Sequence, residues 1–114
     1  MWHLYHFPLC PFSRKVRLAL AEKGVAFDLM RESPWDASEE FYSLNPAGRT
    51  PVLHDAERGR TLIDSQAICE YLEETRPEPS LLLSDPEGRL EVRRLVNWFD
   101  DKFHHEVTSK LLYE

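Results

Sequence analysis

Two hydrophobic periods alternate along the chain. Residues 2–7 are a short apolar and aromatic run that stops at Pro8, the pattern of a strand entering a loop. From 13 to 23 the period lengthens. Val16, Ala19 and Leu20 fall at i, i+3 and i+4, Arg14, Arg17 and Glu22 lie off that face, and Gly24 follows as a stop, so an amphipathic helix is predicted. Residues 25–30 read as a second strand. A strand, helix and strand in about 30 residues form a βαβ unit, whose right-handed crossover makes the strands parallel.

After a loop at Ser33-Pro34-Trp35-Asp36, residues 38–42 predict a short helix ended by Asn45-Pro46-Ala47-Gly48. Residues 52–54 and 60–63 predict a hairpin across a polar connection that contains Gly59. Asp64 or Ser65 caps the next helix, in which Ile68, Tyr71 and Leu72 share a face and which ends before Pro77. The order is β-α-β-α-β-β-α: an α/β domain with a mixed four-stranded sheet over 1–77. Residues 78–87 read as a linker, with Pro77, Pro79 and Pro86 in and beside it and Leu81-Leu82-Leu83 packing locally. Asp85 and Pro86 give a cap and first turn for a long helix whose body is assigned to 88–114. In it Val92, Leu95, Val96, Phe99, Phe103, Val107 and Leu111 recur at three- and four-residue spacing. A stripe that wide needs partner helices. The expectation is therefore a chain cut from a longer protein, its last helix the first of an incomplete all-helical second domain.

Composition narrows the class. Of 114 residues 42% are apolar and 30% charged, within the range of folded domains. A net charge of -6 has the wrong sign for a general binder of nucleic acid or anionic membranes. No apolar run reaches the ~20 residues of a membrane span. Two cysteines, Cys10 and Cys69, with no leader-like segment before the first strand, argue against secretion and a disulfide framework and point to the cytoplasm. His3 with His6 and His104 with His105 have the wrong spacing for a metal pair, so no metal is expected.

Three junctions carry candidate chemistry. At Cys10-Pro11-Phe12-Ser13 a thiol stands in the first turn of a helix, where unpaired N–H groups, the helix dipole and Arg14, Lys15 and Arg17 favour thiolate. Two readings stay open: Cys10 is a nucleophile, or a small hydrophobe that happens to sit near a loop. Ser13 occupies the place of a second cysteine, which excludes an internal disulfide couple and leaves Ser13 as an N-cap or as a donor to the thiolate. At Gly48-Arg49-Thr50-Pro51-Val52 a proline precedes a strand; it is a plain turn, or a cis turn exposing the Thr50 backbone to an extended peptide. At Ile63-Asp64-Ser65-Gln66 the junction is an ordinary cap, or a site where Ser65 and helix N–H groups take an anion while Asp64 takes an ammonium.

Together these segments resemble the N-terminal, thioredoxin-like domain of the cytosolic glutathione S-transferases. The resemblance rests on Cys10-Pro11-Phe12-Ser13 with Arg17-Leu18-Ala19-Leu20, on the stretch from Asn45 to Leu53, and on the stretch from Asp64 to Leu72. It implies that glutathione is co-substrate, Thr50 beside Pro51 pairing with its cysteinyl backbone, Asp64 and Ser65 holding its γ-glutamyl end and Arg49 facing its glycine carboxylate. A cysteine at position 10 resembles the omega and dehydroascorbate-reductase branches, where the family's tau-like branch has serine. The resemblance thus implies a glutathione-dependent transferase or thiol oxidoreductase working by thiol transfer or reduction, with Cys10 and Ser13 catalytic and an electrophile or disulfide as second substrate. It implies a cytoplasmic protein that is a homodimer at full length, with Arg93, Arg94 and Trp98 near the dimer groove. Some bacterial members keep the scaffold as protein-binding adaptors in regulation or cell division, and that is the alternative reading.

Overall fold

The structure is a computed structural model and describes residues 1–112. Tyr113 and Glu114, the end of the long helix expected from sequence, lie outside the described residues. The chain divides into two units, Met1–Pro79 and a second beginning at Ser80.

In the first unit, β1 (Trp2–His6), α1 (Pro11–Glu22), β2 (Phe27–Arg31), α2 (Glu39–Leu44), β3 (Val52–Asp55), β4 (Arg60–Ile63) and α3 (Ser65–Thr75) follow in sequence. The sheet order is β2-β1-β3-β4, with β1 and β2 parallel and the other pairs antiparallel, the mixed thioredoxin-like sheet expected. The pleat sends alternate residues of β1 to opposite faces. Leu4 meets Val16, Ala19 and Leu20 of α1 and Ile68 and Leu72 of α3, with Leu53 beside it. Tyr5 faces the other way, onto Phe41 of α2 and Val52.

Element ends differ from expectation where side chains and backbone compete. Helix α1 starts at Pro11 rather than Ser13, because proline is already set for a first helical turn and Cys10 supplies the cap. Strand β2 starts at Phe27 rather than Val25. The Val25 amide donates to the Leu20 carbonyl past Gly24, whose φ of +68° ends α1, so Val25 belongs to the turn and to the core. Tyr71 of α3 is half-buried against Trp2, and Cys69 packs partly against the core.

In the second unit Leu82 is buried, while Leu81 and Leu83 are exposed. Asp85 caps α4 (Pro86–Asn97) by accepting from the Gly88 amide. The expected single α-helix is then interrupted. Residues Trp98–Thr108 form a π-helical segment, after which α5 (Ser109–Leu112) closes the described chain. Phe99, Phe103, Val107 and Leu111 lie four apart, a spacing that holds one face on either kind of turn, so periodicity alone could not separate them. The rings of Trp98, Phe99 and Phe103 cluster at centroid separations of 5.0 to 5.8 Å. The expected apolar stripe is indeed uncovered: no residue of α4, the π segment or α5 is buried.

Candidate functional site

The carboxyl end of β1 runs into a tight loop that delivers Cys10 to the start of α1. The Cys10 amide donates to the Phe7 carbonyl at 2.9 Å, and its own carbonyl accepts from Arg14 at 3.0 Å, so Cys10 is the N-cap. Ser13, expected as a cap, lies inside the helix and is fully buried; its hydroxyl accepts the Phe7 amide at 3.3 Å and ties the loop to the helix. The Cys10 side chain is 3% exposed, and its sulfur lies 3.9 Å from the Thr50 carbonyl oxygen. A carbonyl only accepts, so this contact suits the protonated thiol as donor. No helix N–H is bonded to the sulfur.

That contact joins the first junction to the second. The Thr50–Pro51 peptide is cis. Thr50 precedes β3, and its amide meets no partner among the described residues. Tyr5 near the end of β1 pairs with Val52 at the start of β3, and Val52 pairs with Ile63 at the end of β4, just before Asp64 and Ser65. All three junctions therefore gather at one end of the sheet. Asp64 takes φ +79°, a left-handed conformation that Asp and Asn tolerate best among side-chain residues, and caps α3 through a 3.1 Å bond from Ala67 N–H to Oδ2. Its Oδ1 remains available. Ser65 is buried at the first turn of α3, with no partner for its hydroxyl among the described residues. Arg49 is exposed and makes no ion pair among the described residues.

Sequence reasoning gave Asn45 no role in the site, taking it as a helix terminator and as the start of one stretch of the resemblance. The residue is buried and brackets the loop before Thr50. Its Oδ1 accepts from Ala47 N–H at 3.2 Å and its Nδ2 donates to the Arg49 carbonyl at 2.9 Å, while the Gly48 amide closes the turn on the Asn45 carbonyl at 2.9 Å. An Asn-Pro-x-Gly string is the signature of such a turn, with Asn first, Pro second and Gly fourth. Trp35 lies in the loop before α2. It is 71% exposed, its ring edge-on to Phe7 at 5.4 Å.

Electrostatics beside the site are set by burial. His6, next to the loop, is held below its ordinary range by desolvation, with Arg17 and Arg31 adding to the effect. On the other face, burial and a 3.1 Å bond to Glu40 raise the Tyr5 hydroxyl. Among the described residues no group of three or more His, Cys, Asp or Glu could hold a metal, and no helix is long and apolar enough to cross a membrane.

Comparison with known proteins adds a family. Residues 9–75 match the family model described as glutathione S-transferase, N-terminal domain. FtsZ-localized protein A of Caulobacter vibrioides is 50% identical over 113 residues, which cover 97% of this chain and 50% of that protein. Among solved structures, a glutathione S-transferase from Rhodospirillum rubrum superposes with TM-score 0.93 at 53% identity, over 100% of this chain and 51% of that one. Another, from Methylobacterium radiotolerans in complex with glutathione sulfonate, gives 0.81 at 39% identity, over 87% of this chain and 46% of that one. The chain spans about half the length of the curated relatives it matches.

Proposed function

The chain belongs to the glutathione S-transferase family through its N-terminal domain, and on that premise we propose that it binds glutathione at the gathered junctions and serves a glutathione-dependent transferase or thiol oxidoreductase. The reading is supported by the contact of the Cys10 sulfur with Thr50, and by the place of Thr50, Asp64 and Ser65 at the same end of the sheet with a backbone amide, a carboxylate oxygen and a hydroxyl left without partners among the described residues. These groups suit a short peptide with a free α-amino acid head: the Thr50 amide donates to a backbone carbonyl, Asp64 receives the ammonium, and Ser65 with the start of α3 receives the carboxylate. Arg49 is assigned to the carboxylate at the other end.

In the thiol-transfer form, the Cys10 thiolate attacks the glutathione sulfur of a mixed disulfide, forming a Cys10–glutathione disulfide and releasing the other partner as thiolate. A second glutathione thiolate then attacks that disulfide, leaving oxidised glutathione and free Cys10. The net exchange converts a glutathionylated thiol and glutathione into the free thiol and oxidised glutathione. Cys10 must lose its proton and leave the Thr50 carbonyl to react, while Ser13 holds the loop against which it moves. We place the full-length protein in the cytoplasm as a homodimer.

A second reading, a non-catalytic adaptor on the same scaffold, is favoured by two observations. The thiol is enclosed and donating rather than presented. FtsZ-localized protein A, at 50% identity along nearly the whole chain, carries a name that describes localisation rather than catalysis.

The test uses glutathione affinity and intact mass after exposure to oxidised glutathione. Asp64→Asn is the informative variant, because asparagine keeps the α3 cap and tolerates the positive φ while removing the charge. The transferase reading expects wild-type binding, a loss of roughly tenfold in Asp64→Asn with folding intact, and an adduct confined to Cys10. Binding without an adduct selects the adaptor; no binding removes the glutathione reading.

A further inference from the structure

Asn45 makes no hydrogen bond to Cys10, Asp64 or Ser65 among the described residues, yet it holds the peptide unit that ends in the Thr50 amide. Its side-chain orientation follows from its partners. Ala47 N–H donates to Oδ1, which leaves Nδ2 facing the Arg49 carbonyl as donor. The Arg49–Thr50 peptide bond is trans, since among the described residues the cis bonds are those before Pro51 and Pro79. In a trans peptide the C=O and N–H are coplanar and point in opposite directions. Anchoring the Arg49 oxygen therefore fixes the direction of the Thr50 N–H, away from Asn45.

We propose that Asn45 is the positioning residue for the Thr50 donor, aiming and polarising that amide for a ligand's backbone carbonyl; for the identity of the ligand the proposal rests on the glutathione reading above. A hydrogen bond to one end of a peptide unit strengthens the donor at its other end. The two bonds made by Asn45 also make the loop rigid before the ligand arrives, which lowers the ordering cost of binding. Only a side chain carrying both an acceptor and a donor does both at this length. Aspartate keeps the acceptor for Ala47 but sets a carboxylate oxygen against the Arg49 carbonyl. Serine keeps a shorter acceptor and cannot reach Arg49.

The experiment compares 15N-labelled wild type, Asn45→Asp and Asn45→Ser, titrated with reduced glutathione and followed through the Thr50 amide resonance. In the unliganded wild type the Asn45 side-chain amide protons should exchange slowly with solvent, and both variants should move the Thr50 15N resonance. Glutathione affinity should fall roughly tenfold in variants that retain a cooperative unfolding transition. A purely structural role would instead lower thermal stability and leave the affinity of the folded protein unchanged. Affinity within twofold of wild type, or an unmoved Thr50 resonance, overturns the proposal. If wild type fails to bind glutathione, the functional reading falls and the Thr50 resonance alone decides the positioning role. If neither variant folds, rapid exchange of the wild-type Asn45 side-chain protons overturns it, and slow exchange supports it.

Discussion

His6 is 6% exposed, and its Nδ1 meets no hydrogen-bond partner among the described residues. Burial holds it in the neutral form, helped by the charges of Arg17 and Arg31. Its folded pKa lies below the unfolded 6.5, so between those two values the unfolded chain binds more protons than the folded one. This contribution to stability is complete above the unfolded value and declines as pH falls through the window beneath it, by at most about 1.4 kcal/mol per pH unit. His6→Gln removes the titration. Denaturant unfolding at steps from pH 7.5 downward should therefore give a shallower slope below pH 6.5 for the variant than for wild type; parallel slopes would contradict the burial argument. Gly48 sets a second limit, with φ +66° and a position where an added Cβ would lie 2.6 Å from the Tyr42 ring. Tyr42 is half-exposed and can swing aside, so the backbone conformation dominates. Gly48→Ala should cost about 1–2 kcal/mol in chemical denaturation.

Between elements, the C-termini of α1 and α3 are joined through one ammonium. The Lys23 side chain is fully buried, its Nζ 2.6 Å from Glu73 and 2.7 Å from each of the Arg76 and Pro79 carbonyls. The two carbonyls lie at and beyond the end of α3, where a helix leaves its acceptors unmatched. Lys23→Met fills similar volume but strands a carboxylate and two carbonyls, so a loss of about 3–5 kcal/mol is expected in urea denaturation, partly restored by the double variant with Glu73→Gln. Sequence gave no warning of this tie, because a lysine in the last turn of a helix reads as a solvated end. What was legible had a local cause: the period shift at α1, the turn chemistry around Gly59, and the Asp85 and Asp64 caps. The three junctions were legible as strings, and their meeting at one sheet end follows from the βαβ crossover and the hairpin. What escaped depends on residues distant in sequence or on side-chain choices within a loop: the contact of the Cys10 thiol with Thr50 and the two hydrogen bonds of the Asn45 side chain.

Across the whole molecule, the two units differ in what holds them. The first buries Leu4, Val16, Leu20, Leu53 and Ile68 completely around a paired sheet, so its central amides should open only with global unfolding. In the second, Pro86–Leu112 includes no buried residue, while Leu90, Phe99 and Leu111 are 68%, 54% and 78% exposed. Helices draw most of their stability in proteins from packing an apolar face, and π turns make a less favourable ladder. Local ion pairs, Glu91 with Arg94 and Lys102 with Glu106, stand in solvent, where screening and side-chain entropy leave them little weight. Hydrogen exchange of this chain should therefore split sharply. Amides of β1, β3 and α3 should be protected by roughly 10³ or more, and those of 86–112 by about tenfold or less. Protection of 86–112 that rises with protein concentration would mean that the stripe is being covered by another copy. Replacing Leu95, Phe99 and Leu111, all on the stripe, with glutamine should then abolish the rise while leaving the exchange of β1 and β3 untouched. Strong protection at every concentration, unaffected by those substitutions, would refute the view that packing on this stripe limits the helix.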